Sequence, residues 1–408
     1  MPLTLIQLVS EQTMQNLLPV LRLKPHRLIH LATPKTQSRS AWIAEAARRS
    51  NHPVALETLT LSPMPGMRET MQATLDAIER AGQSGEEALL NFTGGTKLMS
   101  IGAYVAALKH KTPSFYVDTQ DAQFVDGQSA EGLAAHFGGD LSFTPILRSL
   151  TLHAVAAANG CGRITNGQNW QTWHPLAQHL FEHPEQEKAC HDAMQNLPTP
   201  SRPAEWLAVL NRDLPVPPAV AQLAVQTGCY RAGGAPNILR LPDSTRADLE
   251  ELAKLDGQNP LPDFRTRFFR AVAPLQLALN FLSGSWWEVL IAGRLHGAGR
   301  FRDIRWSAQI GERGGPELEE DVLALDGVRV VYVSCKRSSQ NAKLLSQLEQ
   351  IKARAQRLGG TFNQCFLCIF LAPSGKAREN LHKRAAELNI HLIYPEDLQH
   401  SDPFAWNA

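Results

Sequence analysis

Along its first third the chain switches repeatedly between two apolar periods. Short runs of strand length at residues 3–9, 27–32, 54–59 and 88–92 are each followed by a stretch with helical spacing, at 12–23, 40–49, 68–81 and 97–108. A further pair of short runs falls near 114–117 and 122–125. Such alternation predicts a mostly parallel, doubly wound α/β sheet with helices on both faces. Ligands of these sheets bind beyond the carboxyl ends of the strands. That singles out three polar loops: Ser10-Glu11-Gln12, residues 33–38 beginning at Thr33, and residues 93–97.

The last of these loops is Thr93-Gly94-Gly95-Thr96, followed by Lys97, at the point where strand gives way to helix. A helix start presents unpaired amides and a positive dipole end, so the junction suits an anion and above all a phosphate. Its glycines permit close approach, and Lys97 adds a point charge. The spacing is not that of a GxxxxGK[ST] loop. A plain β–α turn capped by threonine fits the same residues, as a serine cap fits Ser10.

The pattern changes across residues 148–263. Trp170, Trp173, His174, His179, His183 and His191 are interleaved with polar residues, and no carboxylate or cysteine accompanies them at a ligand spacing. Packing or surface histidines are expected. Prolines crowd residues 198–218, between short helices predicted at 204–210 and 219–226. Residues 229–231 and 238–241 flank Gly233-Gly234-Ala235-Pro236 and read as a hairpin. Helices followed by a hairpin form a small winged-helix-like module. With so few arginines near the hairpin, a structural link suits it better than groove binding.

Residues 264–408 return to strand and helix patterns. Asp326-Gly327 is a two-residue hairpin signal between two apolar runs. A turn centred there pairs Leu325 with Val328 and Asp321 with Tyr332, and the period of two places Asp321, Ser334 and Lys336 on one face. At roughly 3.3 Å per residue, Lys336 then stands about 13 Å beyond the partner of Asp321. Both faces of the hairpin are mainly apolar, so it belongs in a covered sheet. An acid and a lysine in such a sheet need a chemical reason, although a strand-end Asp with a snorkelling Lys is the ordinary alternative. Arginines and lysines from Arg265 to Arg357 gather near this stretch. Each is explained by solvated charge, and together they offer a groove for a phosphodiester backbone.

Composition narrows the picture. A chain of 408 residues accommodates two or three domains, and 40 basic against 39 acidic residues exclude a broadly basic nucleic-acid coat. The six cysteines are scattered, and the lone CxxC at Cys365 and Cys368 lies in an apolar run, where a buried strand is the simpler reading. No secretory signal opens the sequence and no apolar run approaches spanning length, so a soluble cytoplasmic protein is expected.

Residues 9–20 (VSEQTMQNLLPV) together with 91–99 (NFTGGTKLM) resemble the sensor domain of the CRISPR-associated Rossmann-fold (CARF) nucleases of type III CRISPR defence. The resemblance continues into the last third, where the Asp–Lys hairpin is similar to the PD-(D/E)xK nuclease core. It implies a CARF ligand sensor at 1–147 and a restriction-endonuclease-like α/β domain at 264–408, and leaves between them, outside the resemblance, the winged-helix-like linker read from the residues at 148–263. It further implies a homodimer activated by a cyclic oligoadenylate, most often the tetra-adenylate, bound across the two-fold axis. Ser10, Gln12, Thr33, Thr93, Gly94, Gly95, Thr96 and Lys97 are the ligand-binding positions carried over. In the effector, Glu288 matches the helix carboxylate, Asp321 the metal-binding Asp and Lys336 the catalytic Lys, with Mn²⁺ or Mg²⁺ held by Glu288 and Asp321. Single-stranded RNA or DNA is the implied substrate, with nicking of supercoiled DNA. Ser334 departs from the pattern, standing where an acid is expected. Glu349, Glu319 or Glu320 are candidate replacements, or Ser334 itself holds a water. The other reading is a ligand-binding regulator or ligand sink whose effector core has decayed.

Overall fold

The structure, a computed structural model, describes residues 1–128, 130–165, 169–197, 200–256, 263–311, 317–337, 341–399 and 403–405. Pro198, at the start of the proline-rich stretch, lies outside them. The N-terminal apolar runs form β1 (Leu3–Leu8), β2 (Arg27–Ala32), β3 (Ala55–Thr60), β4 (Glu87–Asn91), β5 (Ser114–Asp118) and β6 (Gln123–Asp126). They line up in the order β3-β2-β1-β4-β5-β6, with β1 to β5 parallel and β6 antiparallel to β5. Successive side chains go to opposite faces. Leu5, Leu28 and Leu89 pack under α1 (Met14–Leu23) and α2 (Gln37–Arg49). Ile6, Ile29 and Leu90 pack under α3 (Met67–Gln83) and α4 (Lys97–His110). The doubly wound sheet expected from the sequence is therefore present, with crossover loops meeting at the carboxyl ends of β1 and β4.

Short strands β7 (Ile164–Thr165), β8 (Leu214–Pro215), β9 (Arg231–Ala232) and β10 (Ile238–Arg240) follow. The last three form a small antiparallel sheet, β8-β10-β9, among the short helices of the middle region. This is the helix-plus-hairpin arrangement of a winged-helix-like module. Its core is continuous with that of the C-terminal domain, because Trp173 lies against Tyr230, Phe281 and Trp306 at centroid distances of 6.1, 4.5 and 5.8 Å. β7 leaves the module to pair with the C-terminal sheet.

That second sheet contains β11 (Phe301–Ile310), β12 (Leu318–Asp326), β13 (Arg329–Lys336), β14 (Asn363–Ile369) and β15 (Ile390–Ile393), in the order β15-β14-β13-β12-β11-β7. The Trp286–Gly297 helix covers the face carrying Val322, Ala324, Val331 and Val333. The Asn341–Gly359 helix covers the face carrying Leu323, Leu325, Val330 and Tyr332. The second face shares one buried cluster with α1, α2 and the Leu152–Ala158 helix, so the two sheets are joined through a common apolar core. No helix among the described residues is long and apolar enough to cross a membrane.

One expectation is corrected. The hairpin loop is Gly327-Val328, and Asp326 pairs with Arg329 inside the ladder. Gly327 has φ +58°, and a glycine at positive φ in the first loop position is what a type II′ turn requires. The register moves by two residues, which keeps the side chains from Asp321 to Lys336 on their expected faces but sets Val322 opposite Val333. Asp321 thereby falls beside Ser334, and the gap of about 13 Å to Lys336 disappears.

Trp173 is 3% exposed and bridges two regions of the chain. Its replacement by Ala should cost about 3–5 kcal/mol, read as a lower denaturant midpoint in equilibrium unfolding.

Candidate active site and ligand crevice

The β12–β13 ladder stops at Val322–Val333, and the Asp321 carboxylate takes over the next polar groups. Its Oδ2 accepts from the Cys335 amide at 2.6 Å, from Ser334 Oγ at 3.0 Å and from Lys336 Nζ at 2.9 Å. Oδ1 has no hydrogen bond from any described residue. Burial alone would lower the Lys336 pKa, but the charge and hydrogen bond of Asp321 outweigh it and hold the ammonium above its ordinary value. Lys336 is thus a cation that orients, and not a free base.

Strand alternation breaks beside this site. Ser307, with φ +52°, lies between Trp306 and Ala308, which pair with Val322 and Glu320. Trp306 packs on the face of the Trp286–Gly297 helix, whereas Ala308 packs on the other. The pairing register runs through Ser307 unbroken, so its left-handed backbone turns the strand without adding a residue. As a result Glu320 and Asp321, consecutive in sequence, both line one cavity of about 170 Å³, with Ser334, Lys336, Gln347 and Arg354.

Glu288 is partly buried on the helix of the opposite face, and its Oε2 accepts from Trp306 Nε1 at 2.8 Å. Burial first, and the nearby charge of Asp321 second, push its carboxyl up to about 8. It does not line the 170 Å³ cavity; it acts on Asp321 through the field between them. Among the described residues no group of three His, Cys, Asp or Glu forms a metal cluster. The donors nonetheless fit a hard divalent cation. Among the described residues Asp321 Oδ1 takes no hydrogen bond and the buried Oε1 of Gln347 has no partner, and the Asp321 charge that adds to burial in raising Glu288 is what a cation relieves. Mg²⁺-like ions are commonly held by one or two carboxylates, with water and substrate phosphate completing the shell.

The other candidates are accounted for. Glu349 pairs with Arg384 and Glu319 accepts from Ser307, so neither replaces the acid. Cys365 and Cys368 are buried free thiols in β14, and His174 packs against Gly293. Several basic residues expected along a groove are committed internally: Arg267 to Glu251, Arg305 to Asp303, Arg337 to Glu187 and Arg354 to Glu320.

In the N-terminal domain a crevice of about 590 Å³ opens between the carboxyl ends of β1, β2 and β4. Of the expected ligand residues, Thr33, Gly95, Thr96 and Lys97 line it. Thr96 caps α4, its hydroxyl accepting from the Met99 amide at 3.4 Å, while the amides of the first turn have no helix partner by geometry. The remaining four serve other ends. Thr93 Oγ1 donates to Asn91 Oδ1 at 2.6 Å and accepts from the Val117 amide at 2.6 Å. A Cβ on Gly94 would stand 2.1 Å from the Leu8 carbonyl oxygen, so this glycine permits β1 and the loop to touch. Ser10 Oγ accepts from the Gln12 amide at 3.1 Å, and Gln12 lines a separate cleft with Gln120 and Arg329.

Sequence reasoning missed what fixes this crevice. Asn16 Nδ2 and Asn91 Nδ2 both donate to Gln7 Oε1 at 3.0 Å, and the Ser10 amide donates to Asn16 Oδ1 at 3.4 Å. All three side chains are fully buried, tying the loop after β1 to the loop after β4. Polar residues interrupting apolar runs were the available signal. Glu11 and Lys35 lie in two of the loops singled out from the sequence, but their ion pair at the crevice wall, like the exposed Met64, had no sequence signal.

Fold and sites together define a class: a Rossmann-like ligand-sensor domain joined in one chain to a restriction-endonuclease-like domain. Residues 4–132 match the family model of the Card1 CARF domain, and residues 276–402 match that of the Card1-like endonuclease domain. The chain is thus a CARF-domain protein with a Card1-like endonuclease domain. Among curated proteins no match is found. Among solved structures it is similar to Can2 from Sulfobacillus thermosulfidooxidans in complex with cyclic tetra-adenylate, at 17% identity and TM-score 0.63, covering 98% of this chain and 95% of that one. Protein VC1899 from Vibrio cholerae is similar at 14% identity and TM-score 0.71, covering 98% and 96%. A type III CRISPR defence DNA nuclease activated by cyclic oligoadenylate is similar at 17% identity and TM-score 0.50, covering 92% of this chain and 47% of that one. At these identities the likeness shows the fold.

The raised Glu288 pKa has a thermodynamic consequence. Between the ordinary carboxyl value of 4.5 and about 8 the folded chain keeps a proton that the unfolded chain has lost. Stability contributed by Glu288 therefore falls as pH rises through that window. In chelator-treated protein, Glu288→Gln should flatten the decline of melting temperature from pH 5 to 8 relative to the parent.

Proposed function

We propose that this protein is a metal-dependent endonuclease switched on by a cyclic oligoadenylate, with the tetra-adenylate as the expected ring, in type III CRISPR antiviral defence. The observation that carries the reading is the Asp321 carboxylate, tied through one oxygen to Ser334, the Cys335 amide and Lys336, while the other takes no hydrogen bond from a described residue. That is the arrangement of a residue held in place through one oxygen and able to offer the other to a ligand. A divalent ion at Asp321 and Glu288, Mn²⁺ or Mg²⁺, would supply charge neutralisation at the scissile phosphate and a more acidic attacking water. Lys336 orients that water and offsets developing negative charge. Ser334 holds Asp321 in place, and Trp306 holds Glu288. Single-stranded RNA or DNA is the substrate proposed, with nicking of supercoiled DNA.

In the sensor, the α4 start and Lys97 suit the phosphates of the ring, while Thr33 and Thr96 offer hydroxyls. A ring with rotational symmetry calls for two copies of the crevice. The outer face of α4 supports a homodimer, because Leu98, Ile101 and Leu108 are 55%, 48% and 46% exposed along one helix. An apolar stripe of this kind beside a binding crevice marks an interaction surface. We further propose the three functional units 1–147, 148–263 and 264–408, and a cytoplasmic location.

The uncharged Ser334 favours a second reading, a ligand-responsive regulator or ligand sink without cleavage. The two separate in one assay with cyclic tetra-adenylate, Mn²⁺ and labelled single strands. Asp321→Asn and Lys336→Ala should each lower the cleavage rate about 100-fold or more; cleavage persisting in both removes the assigned site. Tight ligand binding with no cleavage under Mn²⁺ or Mg²⁺ selects the regulator. Thr96→Ala combined with Lys97→Ala should weaken cyclic tetra-adenylate binding about tenfold or more, roughly 1.4 kcal/mol per decade. Leu98→Glu with Ile101→Glu should shift the sedimenting species from dimer to monomer.

A further inference from the structure

The cavity beside Asp321 contains a carboxylate that the nuclease reading does not use. Glu320 is 3% exposed, although acids are seldom buried unless they are paired or functional. Its Oε2 receives the Tyr332 hydroxyl and, at 3.3 Å, Arg354 Nη1. Its Oε1 has no hydrogen bond from any described residue, the same half-engaged state as Asp321. Both residues line the cavity of about 170 Å³, together with Gln347, whose buried Oε1 has no partner either. In a regular strand two consecutive residues point to opposite faces. Here the left-handed backbone of Ser307, a conformation that side-chain-bearing residues seldom adopt, reverses the faces and brings both carboxylates to one cavity. Across from them, Ser334 contributes a hydroxyl and no charge.

We propose that Glu320 is a metal-holding carboxylate of this site, supplying next to Asp321 the negative charge that β13 lacks at Ser334. Tyr332 and Arg354 orient it through Oε2 and leave Oε1 for the cation. Glu320 then joins Asp321 as an oxygen donor on the cavity side of a hard divalent ion, where water and substrate phosphate complete its ligands. The inference rests on reading the Asp321 cavity as the nuclease site.

The full-length protein is titrated with Mn²⁺, free ion being followed by electron paramagnetic resonance, and cleavage of a labelled single strand is measured in parallel with cyclic tetra-adenylate present. Glu320→Gln should weaken Mn²⁺ binding about tenfold or more and remove most cleavage. Adding Ser334→Glu to that variant should restore both, because the charge returns from the opposite strand. Glu349→Gln, which removes an acid paired with Arg384 outside the cavity lining, should leave Mn²⁺ affinity within about threefold. If Glu320→Gln leaves an Arg354 charge that disturbs folding, shown by circular dichroism, the paired Glu320→Gln, Arg354→Gln variant carries the same expectation. Parental Mn²⁺ affinity in Glu320→Gln overturns the proposal, as does an equal loss in Glu349→Gln. Parental affinity and cleavage in Asp321→Asn would instead defeat the nuclease-site reading itself.

Discussion

A carboxylate inside a sheet covered on both faces persists only where the protein supplies its partners. Asp321 meets that condition by ending the β12–β13 ladder and taking a backbone amide, a hydroxyl and an ammonium on one oxygen. The surrounding architecture serves this arrangement. Helices cover both faces of the sheet, the type II′ turn at Gly327 fixes the register that brings Ser334 and Lys336 alongside, and the distorted backbone at Ser307 turns the strand where the acid stands. Glu288, held by Trp306, feels the same charge from the other side of the sheet.

The sensor solves a similar problem with neutral groups. Gln7, Asn16 and Asn91 are buried within a parallel sheet and satisfy one another, so two loops distant in sequence are locked at the carboxyl ends of β1 and β4. A fully satisfied buried network is rigid, since any displacement leaves an unpaired polar group in a low-dielectric interior. The crevice lined by Thr96 and Lys97 is thus preformed, with hydroxyls and a cation on its wall.

Sensor and effector are also physically continuous. Thr13, in the turn leading into α1, donates to Asn159 Oδ1 at 2.9 Å, and Asn159 Nδ2 donates to the Leu358 carbonyl at 2.9 Å. Leu358 ends the same helix that carries Gln347 and Arg354 to the cavity. A buried apolar cluster runs along the same route.

The sequence by itself determined the sensor's strand and helix order, the crevice at the β1/β4 switch point, and the face shared by Asp321, Ser334 and Lys336. Each follows from a local period or a turn residue, and a period of two survives a register error of two residues. What only tertiary structure decided was non-local. The loop position at Gly327, the inward use of Thr93 and Gly94, and the polar network through Asn16 depend on atoms from strands far apart in the chain. So does the side on which Glu320 appears: strand alternation sends it away from Asp321, and one left-handed residue on the neighbouring strand reverses that. Sequence patterns encode regular backbone, whereas the chemistry of this protein is concentrated where the backbone departs from it.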